Sequence, residues 1–144
     1  MTPTTPLLTV DLLIEMSDRP GSPILLIERK YPPLGWALPG GFVDVGETLE
    51  HAAKREAMEE TCLPVCLTKL LGCYSHPSRD SRNHTVSAVY VATASGEPRA
   101  EDDAANFALF LPNEIPAEMA FDHGMIVSDY LRYRNSGELT PLRD

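Results

Sequence analysis

Between Gly41 and Leu63 the chain reads GFVDVGETLEHAAKREAMEETCL, and the spacing of its acids limits what this stretch can become. Wound as a helix at about 100° per residue, Glu56, Glu59 and Glu60 share one arc of roughly 100°, occupied or bordered by Leu49, Ala52, Ala53 and Ala57. The carboxylates therefore lie beside the apolar stripe and face inward. His51, Lys54, Arg55 and Met58 take the other side, where a plain amphipathic helix would also have put its acids. Thr48 is the expected N-cap, Glu50 sits in the first turn where it favours the helix dipole, and Pro64 stops the helix.

Such an arc needs compensation. Glu56 and Glu60 are a like-charge i,i+4 pair, unfavourable on an exposed helix and more so where solvent is partly excluded. Arg55 can pair with Glu59 but cannot neutralise three acids. Hard oxygen ligands in this number suit Mg²⁺, or Mn²⁺, which keep waters and bridge a few carboxylates to substrate phosphates. A solvated acidic face is the usual meaning of a charge run, and the inward arc argues against it. Cys62, Cys66, Cys73 and His76 could be drawn as a zinc site, but they contain no C-x-x-C pair.

The order Gly41, five residues, Glu47, seven residues, Arg55-Glu56, one residue, Met58, Glu59-Glu60, one residue, Cys62-Leu63 resembles the Nudix box, the signature of Nudix hydrolases. Cys62 stands where that pattern has glycine, just past the helix end, where a left-handed backbone is easiest without a Cβ. The resemblance implies a Nudix-type α/β/α sandwich, an α+β fold with a mixed sheet, a box helix and a C-terminal helix. It also implies hydrolysis of a nucleoside diphosphate linked to a further moiety, by attack of water on phosphorus. Glu56, Glu59 and Glu60 would hold the metal with a backbone carbonyl of Gly40 or Gly41, Arg55 would orient the glutamates, and Glu47 would hold Arg55. The group that takes the water's proton stays open between a box glutamate and the later acids Glu101, Asp102 and Asp103.

The rest of the chain reads as strands around that helix. Leu8 to Met16 alternates apolar and polar residues, the pattern of a half-buried strand, and the turn Asp18 to Ser22 leads into a partner strand at Pro23 to Arg29. Tyr31 to Gly35 is loop, Trp36 to Leu38 a short strand, Pro39-Gly40-Gly41 a turn, and Phe42 to Val45 a brief strand. Val65 to Tyr74 and His84 to Thr93 are strand-like and flank the loop Ser75 to Asn83. Gly96 to Ala105 is acidic loop, Phe107 to Leu111 a last strand, and Asp122 to Arg134 a closing helix with Met125, Ile126, Tyr130 and Tyr133 at helical spacing. A chain of 144 residues is long enough for one substantial core, so residues 1–144 are expected to form a single domain.

A formal charge of −9 argues against nucleic acid as partner. There is no apolar run of membrane-spanning length and no signal pattern, and the odd cysteine count suits a reducing compartment, so a cytoplasmic protein is expected. The stretch Tyr74 to Ser87 resembles the segment that follows the box in ADP-ribose pyrophosphatases. Its Arg79 and Arg82, with Arg29, are the candidate phosphate contacts. Glu101 to Ala105 looks like the same subgroup, although Asn106 and Leu109 replace an acid and an aromatic common there. Trp36 is read as a wall or core residue before a base-stacking one, and the histidines as local hydrogen-bonding groups. The expected activity is thus cleavage of ADP-ribose to AMP and ribose 5-phosphate. The alternatives are a non-catalytic ADP-ribose sensor, which would need a DNA-binding module, and a Nudix enzyme acting on nucleoside triphosphates. A homodimer is implied only by resemblance.

Overall fold

The structure, a computed structural model, describes residues 2–144. In chain order its elements are β1 Leu7–Met16, β2 Ile24–Arg29, β3 Trp36–Ala37, β4 Gly40–Phe42, α1 Leu49–Thr61, β5 Cys66–Tyr74, β6 Thr85–Ala94, β7 Ala104–Phe110 and α2 His123–Ser136, with a 3-10 turn at Pro112–Glu114. On one side β1 runs parallel to β6 along its whole length, from Leu7 against Thr85 to Met16 against Ala94, and β5 closes that side antiparallel to β6. On the other side β1 changes partner. Thr9, Val10 and Asp11 pair with Phe42, Gly41 and Gly40 of β4, whereas Ile14 and Glu15 pair with Leu25 and Ile24 of β2. β7 and β3 both pair with β2.

The strand period of two separates the core into layers. Val10, Leu12, Ile14 and Met16 point to one face with Leu25, Ile27, Ala88 and Ala92, where they meet Ala52, Ala53 and Ala57 of α1. Leu13, Ile24, Leu26, Val89 and Val91 point to the other, against Ile126, Val127 and Tyr130 of α2. Each large side chain buried here contributes about 1.5–3 kcal/mol relative to exposure. The result is the α/β/α sandwich with a mixed sheet that the resemblance implied. Among the described residues no helix is long and apolar enough to cross a membrane.

Four local differences from the sequence reading have physical causes. β1 is covered on both faces rather than one, because its polar positions find partners inside: Ser87 Oγ donates to Asp11 and Tyr130 OH to Glu15. The strand expected at Phe42 to Val45 lies at Gly40–Phe42 instead. A Cβ on Gly40 would stand 2.1 Å from the Val10 carbonyl oxygen, so glycine here permits close strand approach rather than a turn. β7 begins at Ala104, before the expected Phe107, since Ala104 and Asn106 already have partners on β2. In α2, Val127 is buried while Met125 is 36% exposed.

The helix ends follow their residues. Thr48 Oγ1 accepts from the His51 N–H at 3.1 Å, forming the expected cap. Cys62 adopts φ 60°, and its N–H reaches the Met58 carbonyl at 3.0 Å, so the left-handed cap survives the absence of glycine. All three cysteines are free, with Cys66 and Cys73 exposed on β5.

Candidate active site

A cleft of about 240 Å³ lies where β1 passes from β4 to β2. One wall is α1, which presents Glu56, Glu59 and Glu60 in graded depth. Glu60 is 4% exposed, the Glu56 side chain is nearly buried, and the Glu59 side chain is half exposed. Arg55 ties the outer pair together. Its Nε and Nη2 donate to the two Glu47 oxygens, both at 2.7 Å, its Nη1 donates to Glu56 at 2.9 Å and to Glu59 at 3.3 Å, and Nη2 also reaches the Phe42 carbonyl at 3.0 Å. Glu47 stands outside the cleft and acts on it through this fork, which holds its carboxyl well below the usual range.

Glu60 is the electrostatic oddity. Burial, reinforced by the Glu56 charge, pushes its carboxyl up to about 9, while the Gly40 backbone amide offsets part of the shift. Its Oε2 is buried with no hydrogen-bond partner among the described residues. Burial also raises Glu56, against the stabilising hydrogen bond from Arg55. Across from these groups Gly41 leaves room that a side chain would take: a Cβ there would lie 2.5 Å from the Glu56 carboxyl. An orphaned buried oxygen, two further carboxylates and a bare backbone edge suit a hard divalent cation. The groups are not drawn into a closed cage, since among the described residues no three His, Cys, Asp or Glu side chains converge at ion-holding spacing. Arg55 accounts for this by holding Glu56 and Glu59 toward itself.

The three candidate arginines separate into two kinds. Arg79 is 9% exposed, and each of its three guanidinium nitrogens is engaged: Nε and Nη2 with Asp122 at 2.9 and 2.7 Å, and Nη1 with Thr85 at 2.8 Å. It is a strut between the loop after β5 and the start of α2, with little left for a ligand. Arg82 forms a fork with Asp80 at 3.0 and 2.8 Å, and Arg29 donates from Nε to the Pro33 carbonyl at 2.7 Å. All three arginines line the cleft, and Arg29 and Arg82 lean on Phe121.

The acidic loop is laid against the end of α1, where Arg99 and Glu101 N–H groups donate to the Thr61 and Glu60 carbonyls at 2.9 and 3.1 Å. That brings Asp102 and Asp103 into the cleft wall, whereas Glu101 faces Arg99 at 3.8 Å outside it.

The cleft lining also holds a buried polar group the sequence reading passed over. Asp11 accepts from Ser87, stands 4.0 Å from Arg79 and 3.6 Å from His123 Nε2, and has its carboxyl raised to about 7 by burial. His123 Nδ1 accepts from the Leu38 N–H at 3.0 Å, which fixes the strand leading to Gly40, and burial lowers its pKa to about 3. The one available signal was Asp11 itself, an acid flanked by Val10 and Leu12 in a mostly apolar strand. Trp36 packs edge-on against Phe110 at 5.3 Å as a wall residue.

A sequence model of the NUDIX domain matches residues 6–130. The chain is 45% identical over 133 residues to a protein of Methanocaldococcus jannaschii named ADP-ribose pyrophosphatase, covering 90% of this chain and 76% of that one. Among solved structures, the NUDIX domain of Shewanella oneidensis NrtR in complex with ADP ribose superposes with TM-score 0.75 at 27% identity, covering 92% of this chain and 90% of that one. A bifunctional NMN adenylyltransferase/ADP ribose pyrophosphatase of Francisella tularensis, complexed with AMP and a Mn ion, gives 0.76 at 27% identity, covering 91% of this chain and 43% of that one.

Proposed function

The chain belongs to the Nudix hydrolase family, and from that premise we propose that it is a divalent-metal-dependent pyrophosphohydrolase, using Mg²⁺ or Mn²⁺, that cleaves ADP-ribose to AMP and ribose 5-phosphate. The reading takes residues 1–144 as one catalytic domain. The observation that carries the chemistry is the buried Glu60 carboxyl, with an orphaned oxygen, beside Glu56. The substrate rests on the similarity to the Methanocaldococcus jannaschii protein over most of both chains.

Glu56, Glu59 and Glu60 would hold the cation with the Gly40–Gly41 backbone edge. A bound divalent ion supplies charge neutralisation at the diphosphate and lowers the pKa of the attacking water. The protein's share is positioning. Arg55, fixed by Glu47, keeps two glutamates in register, and Asp102 and Asp103, which line the same cleft, would accept the water's proton. Arg29 and Arg82 supply positive charge in a protein whose net charge of −9 would otherwise repel the substrate.

A panel of nucleoside diphosphate derivatives and nucleoside triphosphates, assayed with Mg²⁺ and with Mn²⁺ and with products identified, tests the reading. AMP with ribose 5-phosphate is the expected pair. A nucleoside monophosphate with inorganic pyrophosphate would move the enzyme to triphosphate hydrolysis, and binding of ADP-ribose without turnover would make it a sensor.

A further inference from the structure

Phe121 has no place in the chemistry above, yet two of the cleft's cations converge on it. The Arg29 and Arg82 guanidinium carbons lie 4.8 and 5.2 Å from its ring centroid, one carried by β2 and the other by the loop after β5. Phe121 itself holds φ 56°, a left-handed backbone that bulky residues rarely adopt. Two like charges brought to one spot repel, so something must favour the arrangement. The negative face of the ring is attractive to both cations.

The donors left over show what the pair can do. Among the described residues Arg29 uses only Nε, so both of its Nη groups have no protein acceptor, and it has no ion-pair partner. Arg82 spends Nε and Nη2 on Asp80 and keeps Nη1 free. Arg79, a few residues earlier in the same loop, has all three of its nitrogens already engaged. Free N–H groups on two guanidiniums that share one ring at a cleft wall match the non-bridging oxygens of a diphosphate.

Resting on the functional reading above, we propose that Phe121 is a positioning residue whose ring holds Arg29 and Arg82 as a two-armed anion subsite for the substrate's diphosphate. Without the ring, the two side chains would relax apart and each would bind the anion at greater entropic cost.

Two measurements test it. In the first, inorganic pyrophosphate is titrated calorimetrically into the full chain in EDTA, which needs neither metal nor turnover. Phe121→Leu should weaken binding about tenfold, and Phe121→Trp, with the stronger aromatic face, should restore it. In the second, Phe121→Leu should raise KM for ADP-ribose by about the same factor while kcat changes less than about threefold, again with rescue by tryptophan. Should the leucine variant fail to fold, Arg29→Gln carries the test, with weakened pyrophosphate binding expected. No pyrophosphate binding by the parent, parental affinity in Phe121→Leu or Arg29→Gln, or a tryptophan variant no better than leucine would overturn the subsite. Should the parent bind pyrophosphate with the expected variant effects and yet fail to hydrolyse ADP-ribose, the substrate reading falls and the subsite stands.

Discussion

Glu60 concentrates the tension between stability and chemistry. A carboxyl that is 4% exposed with one oxygen unpartnered is an unfavourable group to bury, and burial answers by keeping the proton on until about pH 9. Nothing in its packing requires an acid. Glu60→Gln keeps the shape and removes the charge, so turnover should fall by about 10²–10³-fold, as when one preorganised electrostatic partner is lost. The metal-free variant should melt no lower than the parent, because the carboxyl it replaces gains little from its surroundings. Unchanged turnover at saturating Mg²⁺ would remove Glu60 from the metal-holding set. Arg79 and Arg82 are the same residue three positions apart on one cleft, and only their partners separate a buried strut from an exposed cation.

β4 shows how one short element serves fold and site at once. Gly40 pairs with Asp11 so closely that a Cβ would meet the Val10 carbonyl at 2.1 Å and the Asp11 Cα at 2.9 Å, both backbone atoms that cannot move aside. Gly41 would instead send its Cβ into the Glu56 carboxyl at 2.5 Å, the mobile end of a side chain. Gly40→Ala should therefore cost more than about 2 kcal/mol of stability by breaking strand pairing. Gly41→Ala should leave denaturant stability within about 1 kcal/mol and weaken metal affinity by about 10–100-fold, the range seen when the support of a metal ligand is disturbed. Equal effects on both quantities in the two variants would mean that β4 has no such division. The sequence could not disclose this, because Pro39-Gly40-Gly41 is also what a turn looks like. What it did disclose was whatever depends on local period: the arc of α1, the alternation of β1 and the cap at Thr48. Contacts between distant segments were out of reach, which is why Asp11, buried against Ser87 and His123, and Phe121, under two arginines, went unremarked.

Taken whole, the molecule is acidic, yet its cleft carries carboxyls that resist ionising, and this sets how pH and metal act together. Asp11 and Glu60 have folded values raised to about 7 and about 9, above their ordinary ones, so they favour the folded state when protonated. Their contribution is complete below about pH 4, the ordinary carboxylate range, and is lost as pH rises through the folded values. His123 runs the other way. Its value is lowered to about 3, so its contribution is present above the ordinary histidine range near pH 6.5 and lost as pH falls. Between pH 6.5 and 9 the two acids act alone among the three, and the metal-free protein should melt at a lower temperature at pH 9 than at pH 6.5. A divalent cation must displace the Glu60 proton to bind, so its affinity rises with pH. The rise in melting temperature produced by saturating Mg²⁺ over EDTA should therefore be larger at pH 9 than at pH 6.5, and Glu60→Gln should flatten that difference. Thermal melts of parent and variant at both pH values, with and without Mg²⁺, check it. A stabilisation by Mg²⁺ that is the same at both pH values would mean that the ion binds without discharging a proton from the buried carboxyl.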